Sequence, residues 1–150
     1  MAGHRKSLKG YKRKEEYKSW PDTIAFQEEI YIKTVKLTHG EEGEPLLFPI
    51  EYVETNVPLH AVHHSPEGFN WGYLGSGPSD LAMNIIEEIL IINGHKGEKT
   101  QMYKGKIFNE TSVIYHSFCE EFIAKFDKDG GSIPYTDALS WVKKRVSIYE

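Results

Sequence analysis

Apolar residues recur at helical spacing in three segments of this chain and gather into extended runs ahead of them. The best helical pattern begins near Pro78 and ends at Ile92, just before the stop signal Asn93-Gly94. Its apolar face consists of Leu81, Ala82, Ile85, Ile86, Ile89 and Leu90, and its polar face of Asp80, Asn84, Glu87 and Glu88. The pattern predicts an amphipathic helix.

Two more helices are predicted after residue 108. The first has Asn109 as a candidate cap and a wide apolar stripe made of Tyr115, Phe118, Cys119, Phe122, Ile123 and Phe126. A glycine-containing turn at residues 127–131 ends it. The last helix opens near Pro134 with Thr136 as a candidate cap, and its apolar positions are Ala138, Leu139, Trp141, Val142 and Val146.

β-Branched and aromatic residues dominate the extended segments that precede the helices. Residues 29–37 and 46–53 predict two strands, which a turn at residues 39–45 joins into a hairpin. Pro49 cannot donate to a sheet ladder, so we expect it at an edge or a bulge. A third extended segment, residues 57–62, is expected at a sheet edge because it contains Pro58.

Strands that precede helices along the chain indicate an α+β fold. We predict a small antiparallel sheet of about three strands with about three helices packed on one side, and the alternative is a helical domain with a β-hairpin appended. A chain of 150 residues suits one domain whose core is stable without disulfides or metal. We place this domain at residues 26–150, after a basic N-terminal arm at residues 1–25.

A loop rich in glycine and proline leads into the first helix. Within thirteen residues it contains Pro66, Gly68, Gly72, Gly75, Gly77 and Pro78. Glycine serves where φ is positive or backbones approach closely, which predicts a shaped loop with Ser76 or Gly77 as N-cap of the helix. We expect this loop and helix to be the fixed point on which the sheet and the other helices pack.

The residues of this loop also carry a family resemblance. From His64 to Ala82 the chain resembles the HSPxGFxWGYxGSGPxxLA signature of a family of small bacterial and phage domains of unknown function. The resemblance covers residues 30–145 and implies homology without a reaction. Leu74 and Asp80 depart from the pattern, where Gly and Gln are expected, and both departures argue against a phosphate cradle.

Three aromatic residues of the loop are candidate contacts with a partner: Phe69, Trp71 and Tyr73. They lie outside any periodic stripe, and loops held by a rigid scaffold often carry binding residues. The alternative is that they pack inside the loop. His64 is a candidate contact of the same kind, or a hydrogen-bond partner that fixes the turn.

The start of the helix is a candidate ligand site, formed by Gly75, Ser76, Gly77, Ser79 and Asp80. Free backbone N–H groups after a glycine-rich loop suit an anion such as a nucleotide phosphate. No lysine follows in the manner of a P-loop, and Asp80 would repel a phosphate. The alternative is that the glycines only let the loop reverse direction.

Other arrangements that could carry chemistry are incomplete. His60, His63 and His64 lack the spacing of a structural zinc site. Cys119 lies on an apolar stripe, where cysteine behaves as a small hydrophobe. We therefore predict no catalytic residues, no metal site and no cofactor.

Charge divides the chain into a basic arm and an acidic body. Residues 1–19 hold seven Lys or Arg against two Glu, so they carry +5 and, with a net charge of −4, leave −9 for the rest. Together with nearby aromatics the basic residues form a candidate nucleic-acid contact: Arg5, Lys6, Lys9, Lys12, Arg13, Lys14 and Lys18. The alternative is a solvated tail or a short helix that folds back on the body.

Cysteine content and hydropathy indicate a cytoplasmic protein. The single cysteine, Cys119, excludes an internal disulfide and suits a reducing compartment. The longest aliphatic run is residues 89–92, which is too short for a membrane span, and no apolar stretch follows the N-terminal charges as in a signal peptide.

These observations predict a small non-catalytic binding or accessory protein of phage or mobile-element type, which contacts a protein or a nucleic acid. An acidic body suggests inhibition of a host factor, because it can compete for a basic cleft. One alternative is a nucleotide- or anion-binding enzyme or sensor that uses residues 75–80. A second alternative is nucleic-acid binding through the N-terminal arm.

Overall fold

The computed structural model describes residues 28–63 and 68–148, together with the backbone of a short strand, β1 (Tyr11–Arg13). The main sheet contains β2 (Glu29–His39), β3 (Pro45–Thr55) and β6 (Gly130–Pro134) in addition to β1. Its strand order is β1-β3-β2-β6, with β2 antiparallel to both β3 and β6, and β1 parallel to β3. The predicted hairpin is therefore present.

The described residues also form a second, two-stranded sheet and three helices. The small sheet pairs β4 (Lys99–Gln101) with β5 (Lys106–Phe108). The helices are α1 (Ser76–Ile92), α2 (Asn109–Glu121) and α3 (Tyr135–Lys143), and a 3₁₀ turn at Ile123–Lys125 follows α2. This arrangement confirms the predicted α+β fold class.

Strand β6 lies where the sequence indicated only a turn and the start of a helix. Its glycines fit the strand because β6 lies very close to its neighbours: a Cβ added to Gly130, at φ +126°, would lie 2.2 Å from the Ile32 carbonyl oxygen. A Cβ on Gly131 would meet the Phe126 ring at 2.4 Å. The two glycines therefore allow this segment to pair with β2 although it lacks the residues that usually form strands.

The prediction of an edge strand at residues 57–62 was wrong. This segment is irregular and packs with Val57, Ala61 and Val62 buried, and its ladder contact is an isolated bridge between Val62 and Lys104. The backbone N–H groups of His60 and Ala61 donate to the side chain of Asn84 on α1 and not to a neighbouring strand.

The predicted caps differ from the observed helix starts. Helix α1 begins at Ser76 with Gly75 as N-cap, and α2 begins at Asn109 with Phe108 as N-cap. Helix α3 begins at Tyr135 after Pro134, so Thr136 lies inside its first turn. The interpretation of Asn109 and Thr136 as caps was therefore wrong.

The core lies between the sheet and the helices, with α1 at its centre. Ile30, Ile32, Val53 and Ile133 are buried on one face of the sheet against the helices. Every residue of α1 from Gly77 to Leu90 is buried. Each buried aliphatic side chain of this kind contributes about 1.5–3 kcal/mol to stability. Within the described residues, no helix is long and apolar enough to cross a membrane.

Candidate functional site

The polar face of α1 is buried as completely as its apolar face. Asp80, Asn84, Glu87 and Glu88 are all shielded from solvent. Buried carboxylates are costly unless they are hydrogen-bonded, so this polar stripe needs partners on neighbouring segments. It is the first candidate site in the fold.

Asn84 holds the irregular segment before the loop against α1. Its Oδ1 accepts hydrogen bonds from the backbone N–H groups of His60, at 2.6 Å, and Ala61, at 3.0 Å. Its Nδ2 donates to the carbonyls of Ala61 and Asp80, both at 2.8 Å. All four hydrogen-bonding positions of the amide are therefore used within the protein.

Glu87 lies against the start of α2. Its Oε2 accepts hydrogen bonds from the Phe108 backbone N–H at 3.0 Å and from the Thr111 hydroxyl at 2.5 Å. Burial raises the pKa of this carboxyl, and the bonds from Thr111 and Phe108 oppose the rise. The other oxygen, Oε1, is buried and makes no hydrogen bond among the described residues.

Glu88 and Asp80 bind the same segment as Asn84. Glu88 Oε1 lies 2.8 Å from His60 Nε2, whose side chain is partly exposed. The Asp80 carboxylate accepts from the His63 backbone N–H, at 3.3 Å from each oxygen. The stripe therefore positions two parts of the chain: the segment at residues 60–63 and the start of α2.

The buried stripe does not form a metal or nucleophile site in the part of the chain that the structure describes. No three His, Cys, Asp or Glu side chains there are placed to hold a metal ion. Cys119 is buried, and burial raises the pKa of its thiol to about 11, which leaves it protonated at neutral pH. The contacts that the structure shows for the stripe are to residues 60–63 and to the start of α2.

The loop aromatics are located mainly in the core. Phe69 and Trp71 are fully buried, and the Trp71 indole N–H donates to the Lys128 carbonyl at 3.3 Å. Tyr73 is half-buried, with its ring against Gly75. Phe69 and Trp71 thus follow the packing alternative and offer a partner no surface in this structure.

The start of α1 is filled by protein. Gly77, Ser79 and Asp80 are buried, and a Cβ on Gly77 would lie 2.6 Å from the Cβ of Asn70. The Ser79 N–H donates to the Gly75 carbonyl at 2.9 Å. Packing against Asn70 therefore accounts for the glycine at position 77.

Two of the predicted sites lie largely outside the described residues. They are His64 in the loop and five basic residues of the arm, Arg5, Lys6, Lys9, Lys14 and Lys18. Lys12 and Arg13 belong to β1, whose backbone pairs with Glu54 and Thr55 of β3. Nucleic-acid binding by the arm stays a prediction.

The structure adds a surface that the sequence predictions did not include. Strand β2 leaves the ladder with β6 after Lys33, and β3 joins the ladder with β1 only from Val53, so among the described residues the hairpin between these positions consists of two strands. We call residues 35–52 the hairpin arm. None of its residues is buried.

Large apolar side chains are exposed along the hairpin arm. They are Leu37, Leu47, Phe48 and Ile50, with Leu47 87% and Phe48 77% accessible. Leu37 lies opposite Ile50, and Val35 opposite Tyr52, on the sheet face that points away from the core residue Val53. Leu47 and Phe48 follow in the segment where the register shifts. Pro49 lies in the same segment, as predicted for a bulge.

A groove of about 540 Å³ continues this face at the base of the arm. Tyr31, Lys33 and Glu54 line one side, and Gly130 and Gly131 leave the other side low. Glu54 accepts a hydrogen bond from the Tyr31 hydroxyl at 3.0 Å and lies 3.7 Å from the Lys33 ammonium. The outer face therefore changes from polar at the base to apolar along the arm.

An unbroken apolar run in the sequence could have identified the hairpin arm. Leu46-Leu47-Phe48-Pro49-Ile50 is apolar without the alternation of a half-buried strand. Such a run belongs in a core, and an exposed run of this length is unfavourable unless it serves a function. Only the three-dimensional structure shows that nothing from the described residues covers it.

Comparison with known proteins adds a family but no activity. Searches of curated proteins and of solved structures found no match. One family model, described as a family of unknown function (DUF6166), matches residues 35–109, half of the chain. The match runs from the hairpin arm through α1 to the end of β5. The chain thus belongs to the DUF6166 family of unknown function.

Proposed function

We propose that this protein is a non-catalytic binding or accessory protein that contacts a partner protein through the hairpin arm. The observation that carries the proposal is the exposure of Leu37, Leu47, Phe48 and Ile50 on one projecting hairpin. Exposed apolar clusters of this kind mark interaction sites in soluble proteins.

The construction of the arm supports a role in association. A two-stranded hairpin without further strands or a packed face is marginally stable in water. The turn at its end is nevertheless well formed, with Gly40 N–H bonded to the Glu44 carbonyl at 2.7 Å and Gly43 N–H to the Gly40 carbonyl at 3.0 Å. A partner that covers the apolar face would supply packing that no described residue of the chain supplies there.

The charge of the arm indicates the chemistry of that partner. The arm contains one lysine, Lys36, and four glutamates: Glu41, Glu42, Glu44 and Glu51. Electrostatic complementarity favours a partner whose apolar groove has a basic rim. Phe48 and Leu47 would fill the groove, and the glutamates of the turn would face the rim.

We further propose a cytoplasmic setting and a phage or mobile-element origin, which the resemblance of residues 64–82 supports. A partner with a basic cleft would be a nucleic-acid-binding host protein, which the acidic arm would inhibit by occupying that cleft. Competition between the protein and a nucleic acid for the partner tests this step.

The experiment compares two single substitutions at equally exposed positions. Phe48 on the arm and Val113 on α2 are both 77% accessible, so Phe48→Ala and Val113→Ala each truncate an apolar side chain at an equally exposed position. Partners are isolated from the native host with the wild-type chain, identified by mass spectrometry and purified. Binding of each purified partner to the three proteins is then measured by calorimetry.

We expect Phe48→Ala to weaken binding about 30-fold, as for a central anchor of an interface, and Val113→Ala to leave it within a factor of two. Binding should also weaken as salt is raised, because the rim contacts are ionic. Equal affinities for Phe48→Ala and wild type would overturn the hairpin arm as the contact. Salt-independent binding would overturn the basic rim.

A further inference from the structure

A second hairpin, β4–β5, concentrates positive charge on the otherwise acidic body. Lys96, Lys99, Lys104 and Lys106 lie within eleven residues and are all exposed. None of the four forms a salt bridge with another described residue. Tyr103, at the connection between the strands, is 67% accessible.

The pairing of β4 with β5 directs part of this charge to one face. Lys99 lies opposite Phe108, and Gln101 lies opposite Lys106. Alternate residues and direct cross-strand partners share a face, so Lys99, Gln101 and Lys106 point the same way. Diagonal neighbours of this kind are separated by about 7–8 Å, which lets Lys99 and Lys106 act on one ligand.

The connection that carries Tyr103 is held firmly. The Met102 N–H donates to the Gly105 carbonyl at 2.9 Å, and Lys104 exchanges backbone hydrogen bonds with Val62 at 2.7 and 3.0 Å. Gly105, at φ +96°, brings the connection so close to the body that an added Cβ would lie 2.3 Å from the His60 carbonyl oxygen. Tyr103 is thus an exposed ring on a fixed backbone.

Exposed lysines beside an exposed aromatic ring suit one class of ligand. Lysines neutralise phosphates, and an aromatic ring offers a stacking surface to an unpaired base. An acidic peptide would engage the lysines but would leave the tyrosine ring without a role. We propose that the β4–β5 hairpin binds single-stranded nucleic acid, with Lys99, Lys104 and Lys106 on the backbone and Tyr103 stacked on a base.

The proposed contact includes no residue of the hairpin arm and none of the basic N-terminal residues. It lies within the region that the family model matches, residues 35–109. The local negative charge comes from Glu98 and Glu110, and Glu110 already lies 3.2 Å from His95.

The test uses the full chain and a fluorescein-labelled dT20 oligonucleotide in anisotropy titrations at several salt concentrations. Lys104→Glu/Lys106→Glu reverses two of the four positive charges and spares Lys99, whose ammonium lies 4.5 Å from the Phe108 ring centroid. The matched control, Lys143→Glu/Lys144→Glu at the end of α3, makes the same charge change at exposed positions. Tyr103→Ala tests stacking, and thermal melts verify that each variant is folded.

We expect the β4–β5 double variant to weaken binding more than tenfold and to reduce the slope of log affinity against log salt by more than one. The α3 control should change affinity less than threefold. Tyr103→Ala should weaken single-strand binding by about 5- to 150-fold and leave duplex binding unchanged.

Equal losses in the β4–β5 and α3 variants would overturn the site, because they would reflect net charge alone. An unchanged affinity in Tyr103→Ala, or tighter binding of duplex than of single strand, would overturn the single-strand assignment. If the glutamate variant melts early, Lys104→Gln/Lys106→Gln replaces it, and unchanged affinity there overturns the proposal.

Discussion

Glu87 of α1 bonds the first turn of α2 through the backbone N–H of Phe108, at 3.0 Å from its carboxylate. Phe108 is the N-cap residue of α2, and the helix has no side-chain cap of its own. The Glu87 carboxylate of α1 therefore accepts a backbone hydrogen bond at the start of α2, as a local capping side chain would. It also places a carboxylate at the positive end of the α2 dipole. This contact ties the second helix to the central one.

Replacement of Glu87 by Gln should make the stability of the protein less dependent on pH. Burial raises the pKa of Glu87 above its ordinary value of 4.5. The folded state therefore holds the proton more tightly than the unfolded state, and stability present below pH 4.5 is lost as pH rises through the raised pKa. Gln avoids this loss and keeps an acceptor for Phe108, so Glu87→Gln should gain stability relative to wild type from pH 4.5 upwards.

Urea unfolding at a series of pH values measures this difference. The control is Glu121→Gln, which makes the same substitution at the exposed end of α2. Glu87→Leu should be less stable than Glu87→Gln by about 1–3 kcal/mol, because it leaves the Phe108 N–H and the Thr111 hydroxyl without an acceptor. A Glu87→Gln curve parallel to that of wild type would contradict the argument.

Asn84→Leu should release the segment before the loop. The substitution removes the acceptor for the His60 and Ala61 N–H groups and the donor for two carbonyls. We expect a loss of about 3 kcal/mol in the free energy of unfolding. The amides of His60 and Ala61 should also exchange faster with deuterium. Ser117→Leu, on the exposed surface of α2, is the control and should change stability by less than about 0.5 kcal/mol.

Cys119 should be unreactive in the folded protein. With a thiol pKa of about 11, only about one molecule in a thousand carries a thiolate at pH 8. Burial also denies a reagent access. Ellman's reagent should therefore label the protein slowly in buffer and completely in guanidinium chloride. Rapid stoichiometric labelling of the folded protein would mean that the packing around Cys119 is wrong.

The sequence predicted the class of fold because its strongest patterns are local. The apolar periodicity of α1 and the β-branched run of β2 each reflect one element and its buried face. Phe69 and Trp71 of the loop before α1 lie in the core, which agrees with the prediction for this part of the loop. The sequence did not predict strand β6. Its glycines are required because Ile32 and Phe126 lie very close to them, and a local sequence pattern does not reveal such long-range contacts.

The candidate sites were harder to predict because burial depends on the whole fold. A polar residue such as Glu87 on an amphipathic helix normally indicates a solvent-exposed face, yet here it lies between helices. Conversely, an apolar residue such as Phe48 in a strand normally indicates the core. Its exposure follows from the end of the ladders at Lys33 and Val53, where β6 and β1 stop.

Gly77→Ala should destabilise the protein although Ala is the better helix former. At an open helical position the change would gain up to about 1 kcal/mol. Here the new Cβ would lie 2.6 Å from the Asn70 Cβ and 3.3 Å from its backbone nitrogen, and both residues are buried. We expect a net loss of about 1–3 kcal/mol in the free energy of unfolding, measured by urea titration.

The double variant Asn70→Gly/Gly77→Ala distinguishes two explanations for Gly77: packing against Asn70, or an anion site at the start of α1. Removing the Asn70 Cβ makes room for the alanine, so the double variant should be more stable than the sum of the two single effects. Additive effects would mean that the two positions do not press on each other. If Gly77→Ala instead leaves stability unchanged and abolishes a saturable heat of nucleotide binding, the glycine serves a ligand, and the start of α1 opens to bind it.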